Sequence, residues 1–241
     1  MDYEILGVGY ASHRLPDPRI AQRLHAALAG TGAVLNVGAG TGSYEPAGRC
    51  VVALEPSWRM LQQRGAGAAP VVQGAAEELP FADGRFAVAM AVLTIHHWRD
   101  WRRGLAEMQR VAARQVLLTW DPAHAGFWLV DEYFPELRVY DRRIFPSIDV
   151  LCSELGGAEV HEVPIPHDCR DGFLGAYWRR PAAYLDPEVR RSISSFARIP
   201  DSRAGLLRLQ QDLDNGAWHR RHGPLLACEA LDLGYRLVVR R

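Results

Sequence analysis

The sequence contains no lysine: its 28 basic residues are all arginines. An enzyme that forms a Schiff base with its substrate needs a lysine amine, and so do a Walker-type phosphate loop and the catalytic centre of a protein kinase. The composition therefore excludes these three classes of protein.

Cysteine is also scarce and is not clustered. Cys50, Cys152, Cys169 and Cys228 lie far apart in the sequence, and no two of them form a C-x-x-C pair. This spacing argues against a zinc ribbon and against a thioredoxin-like redox motif. We expect four buried thiols in a reducing compartment.

The sequence has no excess of charge and no long hydrophobic run. Its 28 basic and 28 acidic residues cancel, so no overall positive field is available to bind a nucleic-acid backbone or an anionic membrane. No stretch approaches 18 uncharged apolar residues, and the first 18 residues lack the pattern of a signal peptide. We predict a cytoplasmic protein without nucleic-acid or membrane partners.

Short apolar runs alternate with helical patterns along most of the chain. The predicted strands are residues 33–37, 51–54, 71–72, 86–93, 116–120, 160–165 and 235–239. Asp17 and Asp100 have the residue type and position of helix N-caps. This alternation predicts an α/β, doubly wound fold with a parallel sheet and a ligand beyond the carboxyl ends of the strands.

The length of 241 residues is typical of one large domain. We assign residues 1–30 to an N-terminal helical segment that closes over the ligand and residues 31–121 to the ligand-binding core. Residues 122–146 and 167–223 then form insertions that cap the substrate. Within the cap, residues 187–197 and 204–213 have helical patterns.

The first predicted strand runs into a glycine-rich turn, Gly38-Ala39-Gly40-Thr41-Gly42. Such a turn lets a ligand approach the backbone closely and presents unpaired N–H groups to negative charge. A dinucleotide-binding G-x-G-x-x-G motif would need a third glycine at position 43, which is Ser43. The turn predicts a cofactor site and disfavours an NAD-dependent oxidoreductase without eliminating it.

Four ordered motifs carry a family resemblance: VLNVGAGTGSYEP, VVALEPSWRM, QGAAEELPFADGRF and AVLTIHHWRDWRRGLAEMQRV. Between residues 34 and 120 the chain resembles class I S-adenosylmethionine-dependent methyltransferases. It is most similar to the ubiquinone and menaquinone biosynthesis branch, known as methyltransferase type 11. The resemblance implies a Rossmann-like, seven-stranded sheet with helical cap insertions, and S-adenosyl-L-methionine as the cofactor.

The resemblance also implies a set of cofactor-binding residues. The glycine turn would bind the methionyl part, and Glu55 would bind both ribose hydroxyls through charge-assisted hydrogen bonds. Ala75 departs from the family, where an aspartate is usual. Tyr10 and Arg14 close over the cofactor carboxylate or pack on the surface. The full set is Tyr10, Arg14, Gly38, Ala39, Gly40, Gly42, Glu55, Pro56, Ser57, Met60, Ala75, Ala76, Glu77 and Leu93.

The catalytic candidates are His96 and His97, just past the fourth predicted strand. Histidine titrates near neutral pH, so His97 is our first candidate for a base that accepts a proton from an acceptor hydroxyl or amine. If so, His97→Ala should lower turnover by about 10² to 10⁴ and leave cofactor binding intact. The alternative is that the pair only packs the loop.

Two other groups of residues have open interpretations. Five aromatic residues near strand ends either wall an acceptor pocket or belong to the core. They are Trp98, Trp120, Trp128, Tyr133 and Phe134. Asp121 and His124 lack clustered oxygen ligands at a recognisable spacing, so we predict no metal site.

The preferred function is S-adenosylmethionine-dependent methyl transfer to oxygen or nitrogen of a small organic molecule. Three alternatives remain: a C-methyltransferase of the same fold, a non-catalytic S-adenosylmethionine-binding protein, and the less favoured NAD-dependent oxidoreductase. The expected partner is a small-molecule methyl acceptor, and the sequence indicates no particular oligomeric state.

Overall fold

The computed structural model describes residues 14–30 and 32–241, and these residues form one seven-stranded sheet with helices on both faces. Its strands are β1 (Val34–Val37), β2 (Val51–Glu55), β3 (Val71–Gln73), β4 (Phe86–Val92), β5 (Ala112–Trp120), β6 (Glu159–Glu162) and β9 (Tyr235–Arg240). Their order in the sheet is β3-β2-β1-β4-β5-β9-β6. Two further strands, β7 (Ile165–Pro166) and β8 (Ala230–Leu231), form a separate antiparallel ribbon. The predicted doubly wound α/β fold is confirmed.

The final strand corrects the expectation of a fully parallel sheet. β9 runs antiparallel to both of its neighbours, β5 and β6. The chain reaches β9 from the cap insertion through β8, without the crossover helix that usually precedes a parallel strand.

Eight α-helices are described. They are α1 (Pro18–Ala27), α2 (Trp58–Gln62), α3 (Trp101–Val111), α4 (Pro135–Ile144), α5 (Ile148–Glu154), α6 (Pro187–Arg191), α7 (Arg203–Asp214) and α8 (Ala217–His222). The predicted caps of α1 and α3 are confirmed, because Asp17 accepts from the Arg19 N–H and Asp100 accepts from the Arg103 N–H.

Tight turns connect several of these elements, most of them in the cap insertions. Residues Leu129–Tyr133 form one π-helical turn, and 3-10 turns span Ile95–His97, Leu174–Tyr177, Pro181–Leu185, Phe196–Arg198 and Gly223–Ala227. The helix predicted over residues 187–197 ends at Arg191, and the chain re-forms only a short turn at Phe196. No helix of the described ranges has the length and hydrophobicity needed to cross a membrane.

The register of the parallel strands determines where the loops meet. β1 pairs with β2 on one side, with Val37 opposite Leu54, and with β4 on the other, with Asn36 opposite Met90. The chain segments that leave these three strands therefore emerge side by side at one edge of the sheet.

The cap has its own aromatic core. Trp128, Tyr133 and Phe134 are buried there, and the Trp128 ring packs edge-on against Trp218 with centroids 5.2 Å apart. These three residues therefore belong to the core rather than to an acceptor pocket. Among the cysteines only Cys169 is buried, and Cys50 is exposed, contrary to the expectation of four buried thiols.

The close approach of α7 to the cap core yields a stability prediction. A methyl group added at Gly205 would lie 2.5 Å from the Tyr133 carbonyl oxygen and would collide with the Phe134 ring. We expect Gly205→Ala to lower the free energy of unfolding by about 1–3 kcal/mol, as overpacking does, despite the better helix propensity of alanine. Denaturant titration measures this change.

Gly223→Ala is the matched control, because nothing lies within 4 Å of the added carbon there. If both variants unfold at the same denaturant concentration as the parent, α7 does not depend on this close approach.

Candidate functional site

A cavity of about 360 Å³ opens at the sheet edge where β1, β2 and β4 end. Twelve of the fourteen predicted cofactor residues line it: Arg14, Gly38, Ala39, Gly40, Glu55, Pro56, Ser57, Met60, Ala75, Ala76, Glu77 and Leu93. Tyr10 lies outside the described residues. The volume is in the range of small-molecule sites.

The glycine turn is tied to the end of β2 by its backbone. The N–H groups of Gly38 and Ala39 both donate to the Leu54 carbonyl, at 2.8 and 3.0 Å. Gly38 has φ of +69°, and a side chain there would collide with Thr94. Only glycine fits this position, because both the backbone conformation and the space exclude a Cβ.

Gly42, the third glycine, does not line the cavity. A Cβ at this position would lie 3.0 Å from the Glu45 carboxylate, and its φ is +91°. Its role is therefore to shape the turn next to a buried ion pair, and not to contact a ligand in the cavity.

The Glu55 carboxylate stands at the centre of the cavity wall. One oxygen accepts from the Gly40 N–H at 2.8 Å and the other accepts from the Ser57 N–H at 2.9 Å. Burial raises the pKa of Glu55, and these two backbone hydrogen bonds oppose that effect. A carboxylate has about four lone-pair sites, so two remain for a ligand diol.

A buried ion pair that the sequence did not reveal supports the turn from behind. The Arg64 guanidinium lies 2.7 Å from the Glu45 carboxylate, and both side chains are almost fully buried. Glu45 also accepts from the Asn36 side chain and the Ala69 N–H, while Arg64 donates to the Gly40 carbonyl. The pair joins β1, the glycine turn and the loop before β3.

A second ion pair joins the N-terminal segment to the cap, and both of its residues line the cavity. The Arg14 Nε lies 2.5 Å from Asp171 Oδ1, and the Tyr44 hydroxyl donates to Asp171 Oδ2 at 3.0 Å. Ser43 in turn donates to the Arg14 carbonyl. Arg14 and Asp171 both line the cavity, and sequence analysis assigned no role to Asp171.

A smaller cavity, of about 60 Å³, adjoins the first and shares Arg14, Leu93 and His97 with it. Its apolar wall consists of Leu93, Trp120, Phe127, Phe145, Phe173, Leu174, Ile193 and Tyr235, and its polar groups are Arg14, His96, His97, Asp141, Ser194 and Ser195. Of the aromatic residues considered for an acceptor pocket, Trp120 lies here and Trp98 lies in the larger cavity.

Leu93 stands at the junction of the two cavities in an unusual conformation. Its φ is +50°, in the left-handed region that a branched side chain rarely adopts, and its N–H donates to the Leu118 carbonyl at 2.8 Å. This turn ends β4 one residue earlier than predicted. Such local strain is typical of functional sites.

The His pair lies at the same junction. The His96 ring stacks on Phe145 with centroids 4.1 Å apart, and burial lowers its pKa well below the usual value. Burial, and then the charge of Arg198, lowers the pKa of His97 to about 3. An imidazole with so low a pKa stays neutral at physiological pH.

The contact with Arg198 also fixes the tautomer of His97. Arginine can only donate, so His97 Nδ1 accepts from the Arg198 guanidinium, at 3.3 Å, and the ring hydrogen resides on Nε2. A ring in this state donates a hydrogen bond more readily than it accepts a proton. The geometry therefore favours a packing and orienting role for the pair over the role of general base.

Asp121 and His124 lie in the turn that follows β5. Across residues 14–30 and 32–241 no three His, Cys, Asp or Glu side chains come together in a way that could hold a metal ion. Asp121 instead accepts from the Ala123 N–H in a turn.

The sheet order and the cavity define a class: an α/β protein with a small-molecule cavity at the carboxyl edge of its sheet. The family model for a methyltransferase domain matches residues 35–118. A crystal structure from Anabaena variabilis, of a candidate methyltransferase from an antibiotic biosynthesis pathway, is 35% identical to the chain. It covers 95% of the chain and 99% of its own length, with a TM-score of 0.88.

Two other relatives are more distant. An uncharacterised methyltransferase of Bacillus subtilis, YcgJ, is 29% identical over 119 residues, which are 45% of this chain and 44% of that protein. The chain thus matches less than half the length of this curated relative. A Thermotoga maritima structure described as an S-adenosylmethionine-dependent methyltransferase is 23% identical over 65% of this chain and 80% of its own, with a TM-score of 0.51, and supports the fold alone.

The chain belongs to the methyltransferase family, and it is an S-adenosylmethionine-dependent methyltransferase. This confirms the class predicted from the four motifs, and it leaves no support for the NAD-dependent alternative. The relatives named above are not described as members of the ubiquinone and menaquinone branch, so the narrower resemblance stays a prediction.

The position of Glu55 yields a prediction on cofactor affinity. We expect Glu55→Ala to weaken S-adenosylhomocysteine binding by about 10- to 150-fold, because hydrogen bonds to a charged group contribute about 1.5–3 kcal/mol. Isothermal titration calorimetry measures the dissociation constant. Glu78→Ala, at an exposed position of the third motif, is the control and should bind like the parent. An unchanged constant for Glu55→Ala would remove this residue from the ribose site.

The state of His97 can be observed without a substrate. Its pKa of about 3 means that the ring should stay neutral, with its hydrogen on Nε2, from pH 8 to pH 5 in nitrogen-15 NMR spectra of the folded protein. In denaturant the same ring should titrate near 6.5. Because the unfolded chain takes up this proton first, the group lowers the free energy of unfolding as pH falls below about 6.5. Titration of the folded ring near neutral pH would restore the base hypothesis.

Proposed function

We propose that this methyltransferase transfers a methyl group to oxygen or nitrogen of a small organic acceptor that binds in the smaller cavity. The observation that carries the proposal is the junction of the two cavities at Arg14, Leu93 and His97, because a donor in the larger cavity and an acceptor in the smaller one would meet there. The Anabaena variabilis relative, described as part of antibiotic biosynthesis, supports a small organic molecule as the acceptor.

The larger cavity has the donor and acceptor groups that S-adenosylmethionine needs. The Glu55 carboxylate matches a ribose diol, and the apolar side chains of Met60, Ala76 and Trp98 suit an adenine ring. A Cβ at Gly38 would collide with Thr94, so glycine keeps the turn close enough for its backbone to contact the methionyl part. When bound, the cofactor supplies a methyl group on a sulfonium, which already carries the charge of a good leaving group.

The protein's own contribution is alignment and exclusion of water. Trp120 and Phe145 line the smaller cavity, and the Arg14–Asp171 ion pair lines the larger one. In a dry, shaped site the acceptor atom has few orientations available, and correct alignment contributes much of the rate of an in-line displacement. This geometry supports transfer to a neutral, compact acceptor.

An acceptor screen tests the proposal. We expect S-adenosylmethionine with a deuterated methyl group to yield a product carrying that label from at least one member of a panel of phenols, aryl amines, alcohols and carboxylic acids. The resemblance to the ubiquinone and menaquinone branch is the reason for including quinone-like phenols. Mass spectrometry identifies the labelled compound and fragmentation locates the methylated atom.

Gly38→Ala is the negative control for this screen, since the added carbon collides with Thr94 in the cofactor cavity. Circular dichroism should show that the variant is folded. Methylation at carbon would replace the proposed O- or N-transfer by C-transfer. Tight cofactor binding with no product from any acceptor would favour the non-catalytic alternative.

A further inference from the structure

Asp141 is a buried carboxylate in the wall of the smaller cavity, and the cofactor site does not use it. It lies on α4, in the first cap insertion, and its residue is 3% exposed. Its Oδ1 atom is buried and has no hydrogen-bond partner. Buried polar atoms in native proteins are nearly always hydrogen-bonded, so an unsatisfied one in a cavity wall points to a partner that arrives with a ligand.

The charged neighbour of Asp141 does not satisfy it. Arg198 Nη1 lies 4.0 Å from Asp141 Oδ1, beyond hydrogen-bond distance, and Arg198 Nη2 is instead 3.3 Å from His97 Nδ1. Arg198 thus lies close to both the carboxylate and the imidazole, and these two residues line the smaller cavity. Its permanent charge orients both groups but cannot accept a proton from either.

We propose that Asp141 accepts the hydrogen bond, and during transfer the proton, of the hydroxyl or amine that is methylated. This inference rests on the proposed function, and it assigns to Asp141 the role first considered for His97. His97 Nδ1 is occupied by Arg198, whereas Asp141 Oδ1 has no hydrogen-bond partner and Asp141 lines the same cavity as His97.

The transfer is balanced with this assignment. The acceptor oxygen or nitrogen forms its bond to the methyl carbon, the carbon–sulfur bond breaks with its electron pair going to sulfur, and the acceptor proton goes to the Asp141 carboxylate. Burial raises the pKa of Asp141 to about 6, against the opposing charge of Arg198. At neutral pH the group is therefore still mainly ionised and is a stronger base than an exposed aspartate.

The walls around Asp141 indicate the chemical class of the acceptor. Phe127, Phe145, Phe173 and Trp120 give the cavity flat aromatic surfaces. The nearby positive charge of Arg198 opposes binding of a cation, so a neutral ring with one donor group fits better than an ammonium compound. An aryl alcohol or aryl amine combines an apolar ring for these walls with one N–H or O–H for the carboxylate.

Binding of two probes, phenol and toluene, tests the assignment without a known substrate. The two rings have nearly the same size, but only phenol can donate to Asp141. We expect phenol to bind the protein saturated with S-adenosylhomocysteine at least about tenfold more tightly than toluene, as measured by ligand-observed NMR. Equal affinities, or no measurable binding of phenol, overturn the proposal.

Two substitutions locate the effect. Asp141→Leu removes the acceptor group at similar size, so the phenol preference should disappear, and Asp141→Asn should weaken it. Asp149→Asn, at an exposed position on α5, is the matched control and should keep the full preference. Unchanged affinity for S-adenosylhomocysteine shows that each variant is folded. A preference for phenol over toluene that persists in Asp141→Leu overturns the proposal. If the variants do not fold, the comparison of phenol with toluene in the unsubstituted protein still tests it.

The methyl acceptor found by screening gives a separate readout. Asp141→Asn should lower kcat by about 10² to 10⁴, the range for a positioned base, with cofactor affinity unchanged. An unchanged kcat overturns the role of Asp141 while leaving methyl transfer intact. A different outcome is that no acceptor is methylated by the unsubstituted protein although its phenol preference depends on Asp141. This result contradicts the proposed function but leaves Asp141 as a hydrogen-bonding site.

Discussion

The contact between the Gly40 N–H and the Glu55 carboxylate is the interaction on which the rest of the site depends. It joins the turn after β1 to the end of β2, and it exists because parallel pairing aligns the ends of these two strands. The same carboxylate receives the Ser57 N–H at the start of α2. The Glu55 side chain thus holds the glycine turn and the first residue of the α2 cap in place, and these bonds also fix the orientation of its carboxylate. A site that is already ordered in this way loses less conformational entropy when a cofactor binds.

Much of the cofactor half of the molecule could be predicted from the sequence, because its determinants are local. The glycine turn needs residues without a Cβ, and a buried strand needs a continuous apolar run, so both leave a visible pattern. The positions of Glu55 and the caps at Asp17 and Asp100 follow from the same short-range rules. The mixed direction of β9 does not, because it depends on how a long insertion returns to the sheet.

The smaller cavity and the groups around it were less predictable, because they come from distant parts of the chain. Asp141 belongs to the first cap insertion and Arg198 to the second, while His97 follows β4. None of them forms a motif with the others in the sequence. The assignment of His97 as a base used the ordinary pKa of histidine, and burial beside a guanidinium is a property that only the folded chain reveals.

The position of Arg14 has a consequence for how this enzyme could diverge. Its guanidinium pairs with Asp171, and the residue contributes to the walls of both cavities. If the smaller cavity binds the acceptor as proposed, a substitution in this segment that reshapes it also disturbs the Arg14–Asp171 pair in the larger cavity. Acceptor selectivity and cofactor binding are then coupled through one side chain. Variants with a new acceptor range should therefore arise more readily at cap residues that line only the smaller cavity.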